Sequence, residues 1–160
     1  MDVLGLRRDL GNGNRGMCRR EVLGKPAFPF PELHPLRELR CLLSLPLAEP
    51  GTQGAFAFGR RLVAWDGTGV DAAAIPANAR EFGMRTSQGG NPQITLLALT
   101  ECGTHAIIDA ASGAVTKASE LKLARRLLHA LGPWMLLLAD RNFAGWELWG
   151  QVAATGADMA

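Results

Sequence analysis

At 160 residues, 48% of them apolar, the chain suits one domain with a core of ordinary size. No apolar run approaches the roughly 20 residues that cross a bilayer, and the amino terminus carries Arg7 and Arg8 without a signal peptide's apolar stretch, so a cytoplasmic protein with no membrane partner is expected. The formal net charge of +2 is too small to announce a polyanion partner, but it is uneven: residues 1–60 hold nine basic against six acidic residues and residues 61–160 hold eight against nine, so any attraction to nucleic acid is local.

Residues 1–35 keep no helical or strand period and contain Gly11-Asn12-Gly13-Asn14 and Pro26, Pro29 and Pro31, so an irregular or disordered amino-terminal segment is expected there. Residues 36–59 read as a helix and linker: Leu36, Leu39, Leu42 and Leu43 fit one helical face, Pro46 and Pro50 stop it, and a turn-rich stretch follows. Leu62-Val63-Ala64-Trp65 is then a buried-strand run ending in Asp66 and the turn signal Gly67-Thr68. From Gly67 to Pro92 the reading is mostly loop with one short helix near Ala72 to Phe82. Gln93 to Thr100 and His105 to Ala110 form a hairpin around Glu101 to Thr104. Ser119 caps a helix whose Leu121, Ala124, Leu127, Leu128 and Leu131 recur at helical spacing until Gly132-Pro133. A second buried-strand run, Trp134 to Ala139, ends in Asp140 and Arg141-Asn142, and Phe143 to Ala154 reads as a final helix.

Three antiparallel strands, a helical crossover, and a fourth strand lying parallel to the first make the start of a ribonuclease-H-like mixed α/β sheet. It is expected to be incomplete, with strands one to four present and the later strand and helices missing. In that arrangement Asp66 and Asp140 emerge at one sheet edge. Two such acids without basic neighbours repel, and a shared divalent cation is the usual resolution at neutral pH.

The stretches Leu62-Val63-Ala64-Trp65-Asp66-Gly67-Thr68 and Leu136-Leu137-Leu138-Ala139-Asp140-Arg141-Asn142-Phe143 resemble the first two acidic motifs of the DDE transposases of bacterial insertion sequences, of the insertion-sequence-four type. Pro92-Gln93 before an apolar strand and Ala124-Arg125-Arg126-Leu127-Leu128 before the second Asp also resemble that family, and the likeness runs from about Leu36 to Ala160. The resemblance implies that residues 60–160 are a partial ribonuclease-H-like catalytic domain. It further implies that Asp66 and Asp140 are catalytic metal ligands for two Mg2+ or Mn2+ ions, and that Arg141 lies near DNA. Transposon-end DNA and intact transposase subunits are the partners it implies, and a cytoplasmic, nucleoid-associated location. The family's third ligand is a downstream glutamate in a motif of spaced Tyr, Arg, Glu and Lys. This chain has no Tyr, so a truncated copy, inactive alone, is expected.

The remaining candidates have plainer readings. Glu147 fits an exposed helix face, Asp109 a hairpin edge, and Lys122 with Arg125 and Arg126 the polar side of an amphipathic helix. Trp146 and Trp149 read as core anchors before base-stacking platforms. His34, His105 and His129 share no ligand spacing, and Cys18, Cys41 and Cys102 read as free thiols. A dinucleotide-binding module using Gly67 to Ala72 is the rival. It needs an unbroken helix from there, which Pro76 opposes.

Overall fold

The computed structural model describes residues 43–84 and 90–160. The expected irregular segment 1–35 lies outside the described residues, as does the expected helix up to Leu42. Beyond Leu43, residues 44–49 take no regular secondary structure, and Leu43, Leu45 and Leu47 are exposed.

Among the described residues the strands and α-helices follow in the order β1 (Phe56–Ala57), β2 (Arg60–Asp71), α1 (Pro76–Phe82), β3 (Gln93–Glu101), β4 (Ile107–Ala114), α2 (Glu120–Leu127), β5 (Met135–Leu138), α3 (Trp146–Ala153) and β6 (Asp158–Met159). They build one mixed sheet ordered β4-β3-β2-β5-β6, with β1 paired to the start of β2. The β2–β3 and β3–β4 ladders are antiparallel, whereas β2–β5 and β5–β6 are parallel. The chain is therefore α/β with antiparallel and parallel strands in the same sheet.

Alternation along the strands decides which face is covered. Val63 and Trp65 on β2, Leu97 and Leu99 on β3, and Met135 and Leu137 on β5 form one buried face. Leu123, Ala124 and Leu127 of α2 and Leu148 and Val152 of α3 close over it. Ser119 caps α2 by accepting from the Lys122 amide at 3.4 Å, as its sequence position suggests. The opposite face is thinly covered: Leu62, Ala64 and Leu136 are half-buried, and Leu138 is exposed.

Three expectations are corrected. The first strand does not end at Asp66. It continues to Asp71, because Gly67, Thr68, Gly69 and Val70 pair with Leu97, Leu96, Thr95 and Ile94 of β3 and so lengthen the hairpin arm. The segment read as a helix from Phe143 begins instead as a 3-10 turn, Arg141–Phe143, with α3 starting only at Trp146. The sheet also does not stop at its fourth main strand: Asp158 and Met159 pair with Leu136 and Leu137, adding the parallel strand β6.

Candidate functional site

In the β2–β5 ladder Arg61 pairs with Met135 and Ala64 with Leu138. Two residues further along both chains stand Asp66 and Asp140. Asp66 follows the buried Trp65, so it projects to the thinly covered face. Asp140 has the same parity as Leu138, is extended (φ −72°, ψ 171°), and is exposed like Asp66. Asp66 therefore stands in mid-strand on β2 and Asp140 two residues past the end of β5, each two residues beyond the last pair of the parallel ladder.

The Asp140 end is set by local hydrogen bonds. Its Oδ1 accepts the Asn142 amide at 2.7 Å and its Oδ2 the Asn142 side-chain amide at 3.4 Å, an N-cap for the Arg141–Phe143 turn. Phe143 then turns inward against Trp65, with ring centroids 5.1 Å apart. Trp65 immediately precedes Asp66, so one aromatic contact ties the two acid-bearing segments together. The Asp66 side chain has no hydrogen bond or ion pair among the described residues. Arg141 is exposed beside Asp140.

Other acids are engaged elsewhere. Asp109 pairs with Leu99 across the β3–β4 ladder, two strands from β2, and its Oδ2 lies 3.0 Å from His129 Nε2. Glu147 is exposed and lies 3.2 Å from Arg125 Nη2, joining α3 to α2. Arg126 donates to the Ser112 carbonyl at 2.7 Å and Lys122 to the Lys117 carbonyl at 3.1 Å, so these cations fasten α2 locally. Among the described residues, no three of His, Cys, Asp and Glu converge closely enough to hold a metal by themselves.

Two expectations about α3 and the glycine-rich stretch are corrected. Trp146 and Trp149 are not core anchors: Trp146 is 90% exposed and Trp149 43%. Because α3 begins at Trp146, Leu148 and Val152 four residues apart take the buried stripe and rotate both tryptophans outward, where their rings stack at 6.2 Å. The Gly67 to Ala72 stretch is not a strand-to-helix turn either, since Gly67 to Asp71 are strand residues in the β2–β3 ladder. A dinucleotide fingerprint needs a helix N-terminus there, and α1 begins only at Pro76.

Two acidic residues were absent from the sequence-level candidates. Glu101, read as a turn residue, is wholly buried; it pairs with Arg61 and accepts the Leu47 and Ala48 amides at 2.9 and 2.7 Å. Glu120 stands in the first turn of α2 with its Oε1 only 2.6 Å from where a Cβ on Gly67 would sit. Their only sequence signals were a carboxylate closing an apolar strand and one following an N-cap Ser, and both patterns are ordinary. Compared with known proteins, the chain matches no family model, no curated protein and no solved structure.

Proposed function

We propose that this chain is the catalytic-domain portion of a DDE-type transposase, a ribonuclease-H-like unit of divalent-metal-dependent DNA cleavage and strand transfer. The observation that carries the reading is the parallel β2–β5 register, whose last pair, Ala64 with Leu138, lies two residues before Asp66 and Asp140. The strand order β4-β3-β2-β5-β6 supports it, being the order of a ribonuclease-H-like sheet. So does the wording of the two acidic stretches.

The donor set fits the implied ions. Two carboxylates two residues beyond the last β2–β5 pair, one with no side-chain partner among the described residues, offer hard oxygen ligands to Mg2+ or Mn2+ and a release from mutual repulsion. When bound, such ions stabilise the attacking and leaving oxygens of an in-line phosphodiester displacement. The chain's own residues do the positioning: Asn142 orients the Asp140 carboxylate, Trp65 and Phe143 hold the two acid-bearing segments at a fixed spacing, and Arg141 offers an exposed guanidinium to a DNA phosphate.

Titration of the full chain with Mn2+, followed by electron paramagnetic resonance, tests the reading. Saturable binding that disappears in Asp66→Asn and in Asp140→Asn, with circular dichroism unchanged, is expected. A wild-type chain that binds no Mn2+ overturns it. The absence of a third converging acid among the described residues favours a second reading, a non-catalytic remnant that associates with DNA or with intact transposase. That reading is distinguished by salt-sensitive DNA binding without Mn2+-dependent nicking of supercoiled plasmid.

A further inference from the structure

We propose that the exposed tryptophans Trp146 and Trp149 of α3 form a stacking platform for the unpaired bases of a single-stranded DNA segment. This rests on the reading above that DNA is the substrate, and it names the form of DNA the chain holds, a strand whose bases are free of their complement.

The platform follows from the phase of α3. Leu148 and Val152 take the buried stripe, and Trp146 and Trp149, three residues apart, share the outward face. Trp146 is 90% exposed, and the two rings lie with centroids 6.2 Å apart and planes inclined by only 26°. An indole left in water forgoes the burial that an aromatic ring ordinarily contributes to a fold, so stability does not account for its place here. Because α3 covers the sheet face opposite Asp66, the platform is separate from the acidic pair.

Size and charge select the occupant. The other exposed positions of α3 are Glu147, Gly150 and Ala153, so on this helix the apolar surface stops at the two indoles. Each ring offers at most about 150–250 Å², and the pair falls short of the roughly 800 Å² per side that a stable protein interface takes. Two flat rings match bases instead, since every base presents a π face that an indole accepts whatever the sequence. The charges agree. Glu147, between the tryptophans, is engaged by Arg125 Nη2 at 3.2 Å, and Arg141 is exposed five residues before Trp146. Gly145, the N-cap of α3, gives its first-turn amides no side-chain acceptor. A phosphate backbone passing this end of the helix therefore meets cations and N–H donors while its bases lie on the rings.

The experiment is fluorescence anisotropy of the full-length chain, without added metal, against a labelled oligothymidylate and an abasic oligomer of equal length that carries the same phosphates and no bases. Wild type is expected to bind the oligothymidylate about tenfold more tightly than the abasic oligomer. Trp146→Ala should keep the wild-type melting temperature, lose about tenfold in oligothymidylate affinity, and leave both abasic binding and the salt dependence unchanged, because no phosphate contact is removed. Trp146→Phe should retain most of the affinity, and Trp134→Ala, at an exposed tryptophan outside α3, should bind as wild type does. Equal affinity of wild type for the two oligomers, no binding of oligothymidylate, or undiminished binding by the Trp146→Ala/Trp149→Ala double variant overturns the inference. So does a double variant that loses only self-association in sedimentation velocity, since the pair is then a contact between copies. None of these outcomes bears on Mn2+ binding at Asp66 and Asp140, by which the metal-site reading stands or falls.

Discussion

Trp65 and Phe143 meet with ring centroids 5.1 Å apart and planes inclined at 51°, and each ring lies within three residues of one of the two candidate metal ligands. Both side chains are buried, at 6% and 2% exposure. The Trp65 indole N–H has no acceptor among the described residues, so the ring contributes by contact alone. A tilted aromatic pair of this kind adds about 0.5–1.5 kcal/mol beyond the area it buries. Phe143→Ala should therefore cost about 3–5 kcal/mol of stability, measured by urea unfolding. It should also release the Asp140 turn, seen as faster amide exchange at Asn142 and Phe143 while amides within the β2–β3 ladder stay protected.

A second contact fastens the opposite end of β2. Glu101 is fully buried against Arg61 and also accepts from Leu47, Ala48 and Thr104, so four donors share one carboxylate. Burial without compensation would favour a neutral Arg61, and its pKa is displaced downward by desolvation. Removing only the acid, Glu101→Ala, leaves a half-buried guanidinium and two backbone amides without their acceptor. The expected loss is about 3 kcal/mol by chemical denaturation. A double-mutant cycle with Arg61→Met should recover part of that loss, because the double variant strands no charge. Strict additivity would refute the coupling.

Asp140 carries a structural role that must be separated from any metal role. As N-cap of the Arg141–Phe143 turn it satisfies the Asn142 amide. Asp140→Ala should cost about 1 kcal/mol, whereas Asp140→Asn keeps a capping oxygen and should leave the melting temperature nearly unchanged. Equal destabilisation by both substitutions would mean that the charge, not the cap, holds the turn.

Cys102 gives a pH-dependent check on the hairpin end. Desolvation by burial raises its thiol pKa above the ordinary value, so a smaller fraction is thiolate at any given pH. Alkylation by iodoacetamide at pH 8, followed by peptide mapping, should be slower at Cys102 than at an exposed cysteine in a short peptide. The rate should climb as pH rises toward the raised pKa and reach the peptide's rate after unfolding in urea. A native rate equal to that of the peptide would place the thiol in solvent.

Much of the site's frame was legible in the residues. Apolar runs closed by Asp66 and Asp140 identified two buried strands, and the intervening hairpin and helix implied their parallel pairing, which the Arg61–Met135 to Ala64–Leu138 register displays. These signals are local: strand runs, caps and breakers act within a few residues. Where a reading failed, the deciding contact came from far along the chain. Gly67 to Val70 resemble a turn by composition, yet pairing with Ile94 to Leu97 makes them strand. Trp146 and Trp149 have helical spacing, but the docking of Leu148 and Val152 on the sheet set the helix phase and turned them outward.

The amino-acid sequence by itself determined the α/β order of elements, the parallel pairing of the two acid-bearing strands and the Ser119 helix cap, because hydrophobic period and turn chemistry are properties of adjacent residues. Only the tertiary structure decided that Glu101 is sealed beneath the Leu47–Ala48 segment and that Glu120 reaches across Gly67. Both placements depend on packing between segments distant in the chain, where burial and the lack of a single Cβ select a neighbour that no local pattern encodes.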